Sequence, residues 1–411
     1  MDEIAEAFSD LFGKDVVYNP LLPDELAALD FPSAPAMAQM CQFLGDARSL
    51  EHDTTLTAKI MAPRKPTSFQ NWLLTHSDSS AFSRVGLDVD AEEIKNVCVF
   101  GATSPQGRSV VQGLLADSRK VYTIRATTRR PLDTPQVVEI RNLDPDRVTF
   151  VNADFDNVAS CQAAVEGMDG AFLVADFWEQ ADIDLETEET HTRNIIDACE
   201  GRVKHLVFST MESVDHVNAQ ATEKELLELS PKARAAAYAK TKNLSVTFVL
   251  MPCYSEMFFD MLDKRADGNG KEKVVLQIPT KDAKFMCMSV EELGPAVANI
   301  FDSYQCFAGH EIGLVTDFCT VSQVQEILQD VFNDQIEIET EQVDAKDWIE
   351  ARDTYMKDLG QMFAGLSHAD AVKHRHSIAK TYQLIPNARN LRQWVEQNKE
   401  NPAFREKLGL R

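Results

Sequence analysis

Residues 96–107 read NVCVFGATSPQG, a short apolar run followed at once by a turn rich in small residues. The next stretch, Arg108 to Asp117, has the pattern of a helix. Glycines between a strand and a helix are typical of a phosphate site, because the helix begins with unpaired N–H groups and the positive end of its dipole. Gly101 permits the tight turn, and Gly107 lets the helix pack close to the strand.

The middle position of this motif, where a third glycine gives a phosphate its closest approach, holds Ser104. A serine still fits if the pyrophosphate lies slightly farther out, and its hydroxyl can then donate a hydrogen bond. The alternative is an ordinary turn in a fold that has lost its nucleotide. Because the strand–helix–strand context is right, we predict that a dinucleotide binds here. The predicted contacts in the turn are Gly101, Thr103, Ser104, Gln106 and Gly107.

Beyond the turn, apolar runs of strand length alternate with segments of helical pattern. Such alternation predicts a parallel sheet with right-handed crossovers, here a Rossmann-type doubly wound α/β core over about residues 95–318. The later predicted strands are residues 120–127, 148–151, 170–174, 205–208 and 246–250. After Tyr254 the pattern loosens, which indicates a smaller α/β lobe over the carboxyl edge of the sheet. Residues 321–411 complete this lobe.

The second predicted strand ends in Thr127-Thr128-Arg129-Arg130 and carries no acidic residue there. NAD-selective sites need an acid at this place to accept a hydrogen bond from the ribose 2′-hydroxyl, whereas an arginine suits a 2′-phosphate. A solvated basic turn is the alternative. In a chain whose formal net charge is -24, a basic pair directly after a strand favours NADP(H).

Four further motifs stand in the order typical of a known family: NADF at 152–155, GAFLV at 170–174 with FWE at 177–179, KHLVFST at 204–210 and MPCYSEMF at 251–258. With the glycine turn and Thr128-Arg129, they resemble the NmrA-like branch of the atypical short-chain dehydrogenases over about residues 95–411. The resemblance implies NADP(H) at the turn and adenine near Asp154 and Phe155. It also implies a nicotinamide-facing pocket, formed by Ala175, Phe177, Ser209, Tyr254 and Glu256.

Short-chain dehydrogenases reduce carbonyl groups with a Tyr-x-x-x-Lys pair, in which the phenol exchanges a proton with the substrate. Tyr238 and Lys242 have this spacing, but they stand too close to the strand that begins at Val246. Lys232 is better placed, and the residue four positions before it is Glu228, not a tyrosine. Lys232 matches the lysine that NmrA-like proteins keep near the nicotinamide ribose. A solvated helix lysine is the alternative.

A nucleotide cleft without the tyrosine favours an NADP(H)-binding regulatory or redox-sensing protein with little or no dehydrogenase activity. In such a protein the cofactor stabilises one conformation and thereby alters a contact with a protein partner. Two alternatives stay open. One is an NADPH-dependent reductase of a quinone or enone-like small molecule that works with Lys232 alone, and the other is an interaction module that has lost its nucleotide.

Two stretches of the chain resemble each other. Residues 1–43 align without gaps with residues 321–363, and Trp72 and Phe82 then match Trp394 and Phe404. We interpret this as an internal repeat, so that a mainly helical segment, residues 1–90, is a partial copy of the C-terminal lobe. A chance likeness of two helical stretches is the alternative. The apolar residues of the copy need cover. Residues 1–90 either pack on the main domain or pair with another chain in a homo-oligomer. A third possibility is that they are the remnant of a tandem protein with two such domains.

The composition excludes several classes of protein. The 411 residues are 44% hydrophobic, which is enough for two lobes with cores, and the acidic balance argues against direct nucleic-acid binding. Eight cysteines without a C-x-x-C motif predict reduced thiols in the cytoplasm, with the nucleus also open. No signal-peptide pattern or membrane-spanning run is present. Among the histidines, His368, His374 and His376 predict a solvated helix face rather than a metal site.

Overall fold

The computed structural model describes residues 93–174, 185–210, 230–266, 272–280, 283–332, 336–341, 343, 345–350 and 375–410. The predicted N-terminal copy of the lobe, residues 1–90, lies outside the described residues, and so do the predicted site residues Ala175 and Phe177. Within the part of the chain that is described, no helix is both long and apolar enough to cross a membrane.

The described residues form thirteen strands. The strands are β1 (Asn96–Phe100), β2 (Thr123–Thr128), β3 (Val148–Asn152), β4 (Gly170–Val174), β5 (His205–Thr210), β6 (Val246–Leu250), β7 (Cys253–Tyr254), β8 (Leu262–Ala266), β9 (Glu272–Leu276), β10 (Phe285–Met288), β11 (Glu311–Gly313), β12 (Asp317–Cys319) and β13 (Ile338–Thr340). Seven of them build one parallel sheet in the order β11-β6-β5-β4-β1-β2-β3. The chain thus winds outward in both directions from β1 and β4. This confirms the predicted doubly wound fold and sets its switch point between those two strands.

Twelve α-helices are described, and most of them cover the two faces of the central sheet. The helices are α1 (Pro105–Ala116), α2 (Pro135–Arg141), α3 (Val158–Val165), α4 (Leu185–Cys199), α5 (Ser230–Ala239), α6 (Leu293–Asp302), α7 (Tyr304–Phe307), α8 (Val321–Phe332), α9 (Ala345–Glu350), α10 (Ile378–Leu384), α11 (Leu391–Asn398) and α12 (Pro402–Leu408). Alternate residues of β1 point to opposite faces: Val97 and Val99 pack among α1 and α6, whereas Cys98 and Phe100 pack among α3, α4 and α5.

Helices α1 and α6 cross at a pair of glycines. A Cβ atom built on Gly294 would lie 2.0 Å from the carbonyl oxygen of Ser109 and 3.0 Å from the Cα of Gly113. The same crossing carries hydrogen bonds, because Gly294 N donates to Ser109 Oγ at 3.0 Å and Ser109 Oγ donates to the Glu291 carbonyl at 3.1 Å. The two backbones are therefore in direct contact, and neither position has room for a side chain.

The smaller lobe has its own core, built from two separate parts of the chain. Two three-stranded sheets, β12-β10-β7 and β13-β9-β8, come mainly from residues 253–288, and helices α8, α11 and α12 cover them. Phe259 stacks on Phe404 with ring centroids 4.1 Å apart and meets the Trp394 ring at 5.9 Å. Trp394 and Phe404, two of the aromatic residues matched in the predicted repeat, thus pack against a residue from outside the repeated segment.

One histidine of the predicted solvated helix face is buried, so that prediction is wrong at His376. Only 4% of His376 is exposed, and its Nδ1 lies 2.9 Å from the carbonyl oxygen of Leu314. Its backbone forms a bridge to Gly313 at the end of β11. The segment before α10 is therefore bound to the edge of the sheet and is not exposed to solvent at His376. The other two histidines of this cluster lie outside the described residues.

His205 is buried at the start of β5, and this predicts a loss of stability in mild acid. Its Nδ1 lies 2.8 Å from Ser245 Oγ and its Nε2 2.8 Å from Thr247 Oγ1, while burial lowers its pKa to about 3. As the pH falls below about 6.5, His205 becomes protonated in the unfolded chain but stays neutral in the folded protein. The free energy of unfolding is then expected to fall by up to about 1.4 kcal/mol per pH unit.

Denaturant unfolding of the wild type and of His205→Gln at pH 7, 6 and 5 measures this contribution. We expect the variant to be less stable at pH 7 but to lose stability less steeply toward pH 5, because it has no imidazole to protonate. Parallel pH dependences for the two proteins would show that His205 takes up its proton in the folded state as well.

Candidate functional site

The glycine turn has the geometry that the sequence predicts. Gly101 has a φ of 75°, and a Cβ atom built on it would lie 2.7 Å from Val174 Cγ1 at the end of β4. A Cβ atom built on Gly107 would lie 2.1 Å from the carbonyl oxygen of Gly101. Helix α1 therefore starts directly against the turn, and its first N–H groups point along the carboxyl edge of the sheet.

Ser104 caps the start of α1. Its Oγ accepts a hydrogen bond from Gly107 N at 3.1 Å, and its backbone N donates to the Gly101 carbonyl at 2.9 Å. The serine that departs from the glycine motif is thus an ordinary N-cap, and its hydroxyl can still donate a hydrogen bond. Gln136 of α2 braces the turn from outside by donating from Nε2 to the Thr103 carbonyl at 2.7 Å. Gln136 carries no motif that would single it out in the sequence.

Gln106 joins the glycine turn to the smaller lobe. Its Nε2 lies 2.5 Å from the Tyr254 hydroxyl on β7, while its Oε1 is buried without a hydrogen-bond partner among the described residues. The two amide atoms can exchange places. In the exchanged orientation Tyr254 donates to Oε1, and the unpaired atom becomes an N–H donor suited to a phosphate oxygen. Either orientation leaves a buried polar group without a partner among the described residues, and an unpaired group of this kind costs about 1–3 kcal/mol.

The basic pair follows β2 as predicted. The Arg129 guanidinium lies over the Phe155 ring, 5.4 Å from its centroid, and Asn152 Nδ2 donates to the Arg130 carbonyl at 2.8 Å. Phe155 is buried, and its carbonyl accepts from Asn194 Nδ2 of α4 at 2.8 Å. Asp154, directly before it, is exposed. The ends of β2 and β3 therefore present an arginine, an aromatic ring and a carboxylate at one end of the carboxyl edge.

On the other side of the switch point, a charged pair is largely removed from solvent. Lys232 in the first turn of α5 has its Nζ 3.7 Å from Glu188 Oε1 in the first turn of α4, with side chains 12% and 4% exposed. Lys232 is thus not a solvated helix lysine. Ser209, also buried, pairs in register with Val174 at the ends of their strands. The sequence pattern missed Glu188, because an acid in the first turn of a helix is common and marks no site.

Glu256 follows Tyr254 in the short 3₁₀ turn Ser255–Phe259. Its carboxylate accepts from Ser289 Oγ at 2.6 Å and from Val290 N at 3.2 Å, so it holds the segment that leads into α6. Burial raises the pKa of this carboxyl group, and the hydrogen bonds partly oppose the effect. Ser255 Oγ is buried without a hydrogen-bond partner among the described residues.

The Tyr238–Lys242 pair lies at the opposite edge of the sheet. Helix α5 runs from the carboxyl edge to the amino edge, so its last residues stand beside the start of β6. There Tyr238 Oη donates to Asp197 at 2.8 Å, and the Lys242 ammonium lies 2.5 Å from the same carboxylate. The Tyr238 ring also contacts the guanidinium of Arg193, 4.6 Å from its centroid. This pair joins α5 to α4 and is remote from the glycine turn. Its position just before the strand already argues against a catalytic role.

Comparison with known protein families gives one match. The model of the NmrA-like family matches residues 93–394, which is more than half of the chain. An NmrA-like family domain-containing protein of Dictyostelium discoideum is 25% identical over 249 residues, covering 59% of this chain and 79% of the relative. Vestitone reductase of Medicago sativa is 26% identical over 208 residues, covering 48% of this chain and 61% of the reductase.

Solved structures give the same fold. NmrA, described as a negative transcriptional regulator and solved in complex with NAD, superposes with a TM-score of 0.62 at 18% identity, covering 78% of this chain and 99% of its own. A complex of NmrA with NADP has a TM-score of 0.61. The NADPH-dependent quinone oxidoreductase of Escherichia coli, bound to NADPH, has a TM-score of 0.57 at 17% identity, covering 74% of this chain and all of its own.

Proposed function

Because the chain belongs to the NmrA-like family, we propose that it binds NADP(H) across the carboxyl edge of its sheet and acts as a regulatory or redox-sensing protein with little or no dehydrogenase activity. The observation that carries this proposal is the start of α1, where one buried amide atom of Gln106 has no hydrogen-bond partner in the described part of the chain, beside a braced glycine turn. A pyrophosphate at the helix start would supply the missing partner. The residues present therefore fit a dinucleotide.

In this proposal Thr103, Ser104 and Gln106 hold the pyrophosphate with the two glycines of the turn. Arg129 takes the 2′-phosphate, which no carboxylate at the end of β2 opposes, and Arg130 adds positive charge beside it. The adenine lies near Asp154 and Phe155, and the ribose of the nicotinamide half lies near Lys232. The nicotinamide faces a pocket, which consists of Ala175, Phe177, Ser209, Tyr254 and Glu256. When bound, the reduced cofactor supplies the capacity for hydride transfer.

The remote position of Tyr238 supports a regulatory role. Its hydroxyl is engaged by Asp197 at the amino edge, so it cannot exchange a proton with a substrate beside the glycine turn. The cofactor would instead favour one conformation of the cleft and so change the affinity for a protein partner. We also propose residues 1–90 as a separate unit, a partial copy of the lobe. Through it the protein binds that partner or a second copy of the chain, in the cytoplasm or nucleus.

A second candidate function is the reduction of a quinone or enone-like small molecule. The pair of Lys232 and buried Glu188 favours it, because removing a charged pair from solvent at the carboxyl edge destabilises the fold unless the pair has a role. Purified protein and NADPH should be incubated with a panel of quinones and enones while NADPH absorbance is followed. Turnover that disappears in Lys232→Ala would establish the reductase, and NADPH binding without turnover would favour the regulatory protein.

The cofactor preference gives a direct test of the proposed site. We expect NADPH to bind more tightly than NADH, and Arg129→Ala to weaken NADPH about 10- to 100-fold while leaving NADH within about twofold. A charged hydrogen bond contributes about 1.5–3 kcal/mol, and each 1.4 kcal/mol is tenfold in affinity. Cofactor fluorescence gives the dissociation constants. Arg147→Ala is the matched control, since it removes an arginine that pairs with Asp144 at the amino edge.

The same titration separates the proposal from an interaction module that has lost its nucleotide. The wild type and Ser104→Gly should both be titrated with NADPH, NADH and NADP⁺. Substituting glycine at an N-cap costs only a few tenths of a kcal/mol, so Ser104→Gly stays folded and restores the third glycine. Binding by Ser104→Gly alone would show that Ser104 has closed the phosphate site. If neither protein binds any of the three nucleotides, the interaction module is favoured.

A further inference from the structure

The charged pair of Glu188 and Lys232 is incomplete as a protein interaction. The distance of 3.7 Å between Lys232 Nζ and Glu188 Oε1 is too long for a hydrogen bond, and Oε1 has no hydrogen-bond partner among the described residues. Both side chains are nevertheless largely removed from solvent, at 12% and 4% exposure. Removing two charges from water without forming short hydrogen bonds between them destabilises the fold.

The pair is also unnecessary for joining the two helices that carry it. The next residue, Glu189, lies 2.6 Å from Arg193 on its own helix and 2.5 Å from Arg234 on α5. The Arg234 contact, with the Tyr238–Asp197 hydrogen bond at the other end of α5, already joins α4 to α5. A structural role therefore does not account for a second, buried and loosely formed ion pair one residue away.

The position of the pair points to one half of a dinucleotide. In the strand order, β1 carries the glycine turn, β2 and β3 lie on one side of it, and β4 and β5 lie on the other. Arg129 follows β2, whereas Glu188 and Lys232 stand in the first turns of the helices that follow β4 and β5. Since a dinucleotide lies across the switch point, the half opposite to the 2′-phosphate reaches this pair.

We propose that Glu188 binds the cofactor directly: its carboxylate accepts a hydrogen bond from one hydroxyl group of a ribose, while the Lys232 ammonium beside it donates to the other. The ammonium can only donate hydrogen bonds and the ionised carboxylate can only accept them. A pair of ribose hydroxyls can do both. One hydroxyl accepts a hydrogen bond from the Lys232 ammonium, and the other donates one to the unpaired Oε1 of Glu188. The inference rests on the proposed function, because that ribose belongs to the nicotinamide half of NADP(H).

Two ligands separate this role from a general effect on folding. NADPH carries both halves, whereas 2′,5′-ADP carries the adenine half with its phosphate and lacks the second ribose. We expect Glu188→Gln to weaken NADPH about tenfold or more and to leave 2′,5′-ADP within about twofold, since losing a charged hydrogen bond costs this much. Glu188→Asp keeps the charge on a shorter side chain and should recover part of the NADPH affinity.

Lys232→Met and the double variant Glu188→Gln/Lys232→Met complete a cycle. If Glu188 contacts the ribose itself, the double variant should bind NADPH more weakly than Lys232→Met alone. Equal affinities would show that Glu188 acts only through Lys232 and would overturn the direct contact. Equal weakening of both ligands by Glu188→Gln, or unchanged NADPH binding, would overturn the inference while the proposed cofactor site stands. A wild-type protein that binds neither ligand would overturn the proposed function, and the inference with it.

Discussion

Gly107→Ala is expected to reduce NADPH affinity by more than about 100-fold, close to 2.7 kcal/mol. The new Cβ would lie 2.1 Å from the carbonyl oxygen of Gly101 and 2.6 Å from its carbonyl carbon. Both atoms belong to the backbone, so no side chain can rotate away and the start of α1 has to move. Its N–H groups then no longer point to the place where the turn would hold a pyrophosphate. Cofactor fluorescence measures the loss.

The matched control for this variant is Gly167→Ala. Gly167 lies in the turn before β4, and a Cβ built on it meets nothing within 4 Å. We expect it to cost some stability, because its φ of 73° disfavours an L side chain, but to leave NADPH affinity unchanged. Circular dichroism checks that both variants are folded. Wild-type affinity in a folded Gly107→Ala protein would show that the cofactor does not use the start of α1.

Gly294→Ala is expected to lower the free energy of unfolding by at least about 3 kcal/mol. The added methyl would stand 2.0 Å from the Ser109 carbonyl oxygen, and it would push α6 away from α1 along the whole crossing. The hydrogen bond from Gly294 N to Ser109 Oγ would lengthen with it. Urea denaturation, followed by circular dichroism, gives the difference between the variant and the wild type.

Gly201→Ala separates this steric effect from the backbone preference of glycine. Gly201 has a φ of 70° and nothing within 4 Å of a built Cβ, so its replacement should cost only about 1–2 kcal/mol. Gly294 has no room for an added atom, so Gly294→Ala should lower the free energy of unfolding by clearly more than Gly201→Ala does. Equal losses in the two variants would mean that α6 shifts easily on α1.

Much of the central sheet could be predicted from the sequence because its strands are buried on both faces. All residues of β4, β5 and β6 are buried, so each strand appears in the sequence as a mainly apolar run between polar turns. The second strand shows where this signal fails. Residues 120–127 predict a strand, but β2 begins at Thr123, since Val121 is 72% exposed and Tyr122 packs toward α6. Apolar character alone does not distinguish a residue that is hydrogen-bonded to a neighbouring strand from one that only packs against a helix.

The candidate site was harder to predict because its contacts join distant parts of the chain. The glycine turn and Arg129 are local patterns next to strands, and the structure brings both to the carboxyl edge. Gln106 and Tyr254, in contrast, meet across 148 positions of sequence, and Glu188 meets Lys232 only because β4 and β5 are neighbours in the sheet. Such pairs follow from topology, which must be known before the partner of a side chain can be named.

The aromatic clamp of the smaller lobe has a consequence for the newly made chain. Phe259 leaves the ribosome before the rings that cover it, Trp394 and Phe404, are synthesised. We expect the central sheet to assemble first, while Phe259 stays open to chaperones and to other nascent chains. A premature stop shortly before residue 394 would then give a protein that retains its glycine turn but carries a permanently uncovered aromatic surface, a target for aggregation and degradation.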